Sequence, residues 1–198
     1  MTELYLFRND LRLDDNPGLL AHARADELVC VYCWPSAPAW CNLNGLGAQR
    51  ERFLLESLQA LHDELQAMGQ GLLVLRTDPR VAIVQLVERL SISRVGSSAV
   101  PGHYEEQQLC GVLDKLRVPL LVHQGNTLFE EHQLPFALGN LPRHFTPFRQ
   151  QLETLSVNTP LPAPRQLPPP PKGLSFPLQP ASKTIPHPAF PMRGGGSE

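Results

Sequence analysis

Two short polar stretches hold most of this chain's capacity for chemistry. One is Arg8-Asn9-Asp10-Leu11-Arg12-Leu13-Asp14-Asp15-Asn16-Pro17 and the other Gly102-His103-Tyr104-Glu105-Glu106. The first trails the apolar run Leu4-Tyr5-Leu6-Phe7, long enough for one buried strand, and leads towards Leu19, Leu20 and Ala23, so it reads as a strand-to-helix turn. Turns at the carboxyl ends of strands are where open parallel sheets bind ligands. Capping by Asp14 or Asp15, with Pro17 in the first helical turn, accounts for part of this polarity. Arg8, Asn9 and Arg12 exceed what a cap requires. In the second stretch Glu105 and Glu106 open a helix, where acidic residues favour the helix dipole without any ligand. A carboxylate also offers two acceptor oxygens, and Tyr104 or Trp34 can cover a flat ring. His103 sits among them as a loop histidine.

Other constellations carry less. Cys30 and Cys33 have a C-x-x-C spacing but lie within Glu27–Trp34, an apolar strand in which residues three apart face opposite ways. They read as free core thiols in a reducing, cytoplasmic setting rather than a metal or redox site. The first strand is not followed by Gly-x-Gly-x-x-Gly, and no Walker pattern, His-x-Gly-His or Ser-Gly-Gly loop occurs, which leaves an ordinary dinucleotide, P-loop or adenylating enzyme unsupported. A net charge of −2 with pI near 6.4 argues against a standalone nucleic-acid binder. The first residues do not read as a secretory signal, and no apolar run approaches the ~20 residues of a membrane helix.

The elements that must position these residues alternate. Strands are expected at residues 4–7, 28–34, 72–76, 92–100 and 119–123, with helices after the first, from about Arg50 to Met68, from Asp78-Pro79 to Leu90, and from Glu105 to Leu116. Leu54, Leu58, Leu61, Leu65 and Met68 form the clearest helical stripe, ended by Gly69 and Gly71. In the fourth helix Leu109, Val112, Leu113 and Leu116 form the buried face. Such alternation predicts an α/β fold with a parallel sheet covered on both faces. From about Val157 the composition changes: more than half of the 21 prolines follow, including Pro168 to Pro171, so 157–198 is expected to be an extended linker, wrapped on the surface or mobile.

The first polar stretch resembles the opening of the cryptochrome and DNA photolyase family, whose pattern Arg-x-Asp-Leu-Arg-x-x-Asp-Asn stands here as Arg8 to Asn16. The resemblance continues through Arg50-Glu-Arg-Phe53-Leu-Leu-Glu56-Ser57-Leu58, Thr127-Leu-Phe, Leu134-Pro135-Phe136 and Phe145-Thr146-Pro147-Phe148-Arg149. The Leu-Pro-Phe and Phe-Thr-x-Phe-Arg elements are more typical of DASH-type cryptochromes, and Pro147 of ordinary photolyases. Phe190-Pro-Met-Arg193-Gly-Gly-Gly-Ser-Glu198 resembles the entry to the family's helical domain, so the chain is expected to stop short of that domain.

The resemblance implies a five-stranded parallel Rossmann-like sheet of order 3-2-1-4-5, an α/β antenna domain over residues 1–156, and a linker over 157–198. It also implies a crevice between the turns after strands 1 and 4, lined by Arg8, Asn9, Asp10, Arg12, Trp34, His103, Tyr104, Glu105 and Glu106. In the family that region holds a light-harvesting chromophore: methenyltetrahydrofolate, a deazaflavin or a second flavin. Glu105, or Glu106 one residue on, matches the glutamate that bonds the pterin. FAD, the DNA groove and the blue-light-driven repair of pyrimidine dimers belong to the helical domain, which is the implied partner. No catalytic residue and no repair activity are therefore expected of this chain alone. The alternative is a standalone interaction or regulatory module without chromophore, docking through its proline-rich tail.

Overall fold

The structure, a computed structural model, describes residues 1–34, 46–177 and 182–195, the side chains of Tyr104 and Leu113 excepted. Trp40 and Cys41 lie outside the described residues. Five strands, β1 (Thr2–Phe7), β2 (Glu27–Cys33), β3 (Leu72–Leu75), β4 (Arg94–Ser98) and β5 (Leu120–His123), form one sheet in the order β3-β2-β1-β4-β5. Every pairing is parallel. The expected order is therefore observed, and β1 is central.

Alternation along each strand separates two cores. Tyr5, Phe7, Leu28, Cys30, Tyr32 and Leu72 face Leu19 of helix α1 (Pro17–His22) and Leu58, Leu61 and Leu65 of helix α2 (Ala48–Ala67). On the opposite face Leu4, Leu6, Val29, Val31, Leu73 and Val95 meet Ile83, Leu86 and Val87 of α3 (Pro79–Leu90) and Val112 of α4 (His103–Leu113). Both faces of β1 are thus sealed, which explains why its central residues are apolar without interruption. Cys30 packs in the first core and Cys33 against the second, as strand alternation requires. Burial pushes both thiols up to about 12.

Several boundaries differ from the expected ones. Strand β4 covers Arg94–Ser98 only, and α4 starts at His103 because Gly102 accepts the Glu106 N–H and opens the helix two residues early. The cap of α1 is Asn16, not Asp14 or Asp15. Its Oδ1 accepts the Leu19 N–H at 2.9 Å, whereas Asp15 takes a left-handed φ of 46° and bonds elsewhere. On α2 Leu58, Leu61 and Leu65 are buried as expected, Leu54 and Met68 only partly, and Leu55 is buried as well; the helix is ended by Gly69, whose φ of 76° a side chain would resist.

After β5 come two 3-10 turns (Glu131–Gln133 and Leu138–Asn140) and helix α5 (Phe145–Leu152). The proline-rich segment then returns to the sheet. Leu161 and Asp15 exchange two hydrogen bonds, the Asp15 N–H to the Leu161 carbonyl and the Leu161 N–H to Oδ1. Leu167 enters the first core at 3% exposure. The Leu28 N–H donates to the Pro169 carbonyl, and the Gln70 amide donates to the carbonyls of both Leu28 and Pro168. Prolines lack donors but keep carbonyls, so this run serves as an acceptor edge for β2 beyond the start of β3. No helix of the described residues is long and apolar enough to cross a membrane.

Candidate functional site: the crevice at the carboxyl ends of β1 and β4

The strand order reverses between β1 and β4, so the turns that follow them diverge in sequence and meet in space. The register Leu6↔Ser97 brings Arg8 level with the approach to α4. The Arg8 guanidinium crosses the gap and donates through Nη2 to the Glu105 carbonyl at 2.6 Å. Arg8 is only 9% exposed, and its Nη1 is buried without a hydrogen-bond partner. Burial lowers the proton affinity of Arg8, with the Glu105 charge working the other way. A buried guanidinium with an unsatisfied N–H is costly unless something accepts from it.

The two expected clusters are therefore brought together by Arg8 and Glu105. The Glu105 carboxylate turns back over Gly102, where a Cβ would lie 2.8 Å from the carboxyl carbon. The remaining candidates divide. Arg12 donates to Asp10 through Nε (2.8 Å) and Nη2 (3.1 Å), a two-pronged pair that folds the turn on itself. That contact raises the Arg12 pKa. Asn9 is exposed at the tip, and so are His103 and Glu106 on the first turn of α4. Trp34 follows β2, on the other side of β1 from β4, with the Arg76 guanidinium 4.3 Å above its ring. The structure does not bring it to Glu105. The Tyr104 side chain lies outside the described residues.

Sequence reasoning missed the polar chain beneath the crevice. The Tyr5 hydroxyl donates to Asn16 Oδ1 at 2.8 Å and lies 3.0 Å from Ser98 Oγ, while Asn16 Nδ2 donates to the Arg12 carbonyl at 3.0 Å. These bonds tie β1, β4 and the cap of α1 to the turn. Asn16 directly before Pro17 was the available signal. A second buried cluster lies under α1. Glu3 accepts from His22 Nδ1 at 2.6 Å and from Arg94 Nη2 at 2.5 Å, and the His22 ring stands 5.7 Å from that of His123. Burial lowers the His22 pKa, with the Glu3 charge opposing it. Among the described residues no group of three or more His, Cys, Asp or Glu is placed to hold a metal.

Comparison with known proteins decides the family, because a model described as DNA photolyase matches residues 3–168. The chain belongs to the DNA photolyase family. It is 38% identical over 180 residues to a cryptochrome DASH of Vibrio parahaemolyticus, a match covering 88% of this chain and 40% of that protein. A Synechocystis cryptochrome structure superposes with a TM-score of 0.88 at 28% identity, over 98% of this chain and 43% of the other. An archaeal photolyase from Sulfolobus tokodaii, solved with two FAD molecules, shares the fold with a TM-score of 0.72 at 20% identity, over 98% and 44% of the two chains. This photolyase-family chain thus spans about 40% of the length of its curated relatives and corresponds to their amino-terminal α/β domain.

Proposed function

We propose that this domain is the antenna part of a DASH-like cryptochrome or photolyase, with a flat light-absorbing heterocycle held in the crevice between the ends of β1 and β4. The observation that carries the reading is Arg8: a nearly buried guanidinium at the reversal of strand order, with one N–H group unpaired. That N–H suits a carbonyl or anionic oxygen of methenyltetrahydrofolate, a deazaflavin or a second flavin. The Glu105 carboxylate, released from Gly102, suits an amidine edge of the same ring. A bound chromophore supplies light absorption, while the protein's own task is to orient it and keep water off one face. The two FAD molecules of the Sulfolobus protein are consistent with a second pigment in this fold.

FAD-dependent photorepair or photoreception would then require the helical domain as partner, with DNA engaged only through it. Leu128, Leu138, Leu141 and Phe145, in the segment after β5, are exposed and suit such a neighbour. The alternative of a module docking through its proline-rich tail is less well supported, since Leu167 to Pro169 already bind the chain's own sheet.

The test is reconstitution with each of the three chromophores, followed by desalting and an absorption spectrum. One of them is expected to remain bound in the wild type and to be lost from Arg8→Met and weakened in Glu105→Gln. Retention of none, or equal retention by Arg8→Met, overturns the reading.

A further inference from the structure

Residues 185–194 lie over the first turns of α2, and the hydrogen bonds that α2 side chains make to them go to backbone groups. The Gln49 amide pairs with this strap in both directions: Nε2 donates to the Ile185 carbonyl at 2.8 Å and Oε1 accepts the His187 N–H at 3.2 Å. Arg52 is 1% exposed. Its Nη2 donates to the carbonyls of Phe190 (3.3 Å) and Met192 (2.7 Å), and its Nη1 to both Glu56 oxygens (2.9 and 3.0 Å). Glu56 in turn accepts the Gly194 N–H at 2.8 Å. Burial alone would raise the Glu56 carboxyl, but the Gly194 and Arg52 hydrogen bonds outweigh it and hold the group below its ordinary range.

Among the described residues the Phe190 ring stands edge-on to Phe53, ring centres 5.8 Å apart, and the Arg193 charge helps to hold the Glu56 carboxyl down, while Ile185 and Met192 are 83% and 66% exposed. Gly194 lies so close to α2 that a Cβ would collide with the Phe53 carbonyl and with Ser57. The earlier run, Leu161 to Pro169, is anchored differently, by Leu167 in the core and by Gln70 beneath it. Segments held by backbone bonds with little buried apolar area open at low free energy, independently of the core.

We propose that Gln49, Arg52 and Glu56 form a releasable clasp that reads the backbone of residues 185–194 and lets this strap leave α2 as a unit while the sheet stays folded. The clasp thereby fixes the path of the chain at Gly194. It does not depend on the antenna reading. An arginine is required because one planar fork reaches two carbonyls and a carboxylate together, which an ammonium cannot.

Hydrogen exchange followed by mass spectrometry on the full chain tests the proposal. In the wild type, peptides covering 182–195 are expected to exchange faster than those covering β1 and β2. Arg52→Lys and Gly194→Ala are each expected to speed exchange in 182–195 by roughly tenfold, the loss of one or two charge-assisted hydrogen bonds, with β1 to β3 unchanged. Gly194→Ala leaves every α2 side chain in place, so it separates release of the strap from damage to the helix. Unchanged exchange of 182–195 in either variant overturns the proposal, and so does loss of protection spreading through the sheet in Gly194→Ala.

Discussion

Truncating Leu167 to alanine tests how far the folded unit extends into the proline-rich segment. The side chain is 3% exposed and packs in the core shared by β1, β2 and α2. Removing its three carbon groups forfeits about 2.4 kcal/mol at ~0.8 kcal/mol each, and the cavity brings the total to about 3 kcal/mol. For a domain of this size that lowers Tm by roughly 6–12 °C. Leu161→Ala is the matched control. Its side chain is 41% exposed, and the backbone bonds to Asp15 survive the change, so the expected loss is under ~1 kcal/mol. Urea denaturation followed by circular dichroism reads both, with an unchanged slope confirming that the unfolding unit is the same. If Leu167→Ala matched Leu161→Ala or the wild type within ~0.5 kcal/mol, the segment would be decoration on the sheet and the assignment of Leu167 to its core would fail.

Three other outcomes follow from the buried groups. A Cβ on Gly96 would run into the His22 ring, so Gly96→Ala is expected to cost about 2–3 kcal/mol, whereas Gly139→Ala, with open space around it, stays within ~0.5 kcal/mol; urea midpoints decide. Burial lowers the folded-state pKa of His22 and of His123, so the unfolded chain takes up protons first and stability falls as pH drops below about 6.5. The groups facing His22 are Glu3, Arg94, His123 and Tyr5. Melting scans from about pH 7.5 to 5.5 check the sign, and a flat profile would contradict it. With its thiol buried and pushed up to about 12, Cys30 is expected to resist a thiol reagent until the protein unfolds, while the exposed Cys110 reacts in the native state; timed mass spectrometry distinguishes the two.

The fold was legible where one residue type repeats with one period. The leucines of α2 and the uninterrupted apolar run of β1 declare their elements locally, and the motif from Arg8 to Asn16 carried the strand order by kinship. What stayed hidden depends on partners distant in sequence. Asn16 wins the cap over two aspartates because Tyr5 supplies it with a buried hydroxyl, and nothing near residue 16 reveals that. Leu167 looks like a stray apolar residue among prolines, yet β2 runs past the start of β3 and leaves an edge for it to cover. At the candidate site the strand order placed the turn after β1 beside the opening of α4, but the expected approach was by Asn9, Asp10 and Arg12, and it is Arg8 that reaches Glu105. That Asp10 and Arg12 would satisfy each other was not readable, because a two-residue spacing in a turn fixes no side-chain direction.

The position of β1 has a consequence for how the chain is made. It is synthesised before the other four strands but finishes in the middle of the sheet, and the Ser97 hydroxyl that closes onto the Leu6 carbonyl comes 91 residues later. Until then one edge of Leu4-Tyr5-Leu6-Phe7 stands open while β2 and β3 zip along the other, a long-range closure of the slow kind. A nascent chain on the ribosome must keep that edge from pairing wrongly through the emergence of α2 and α3.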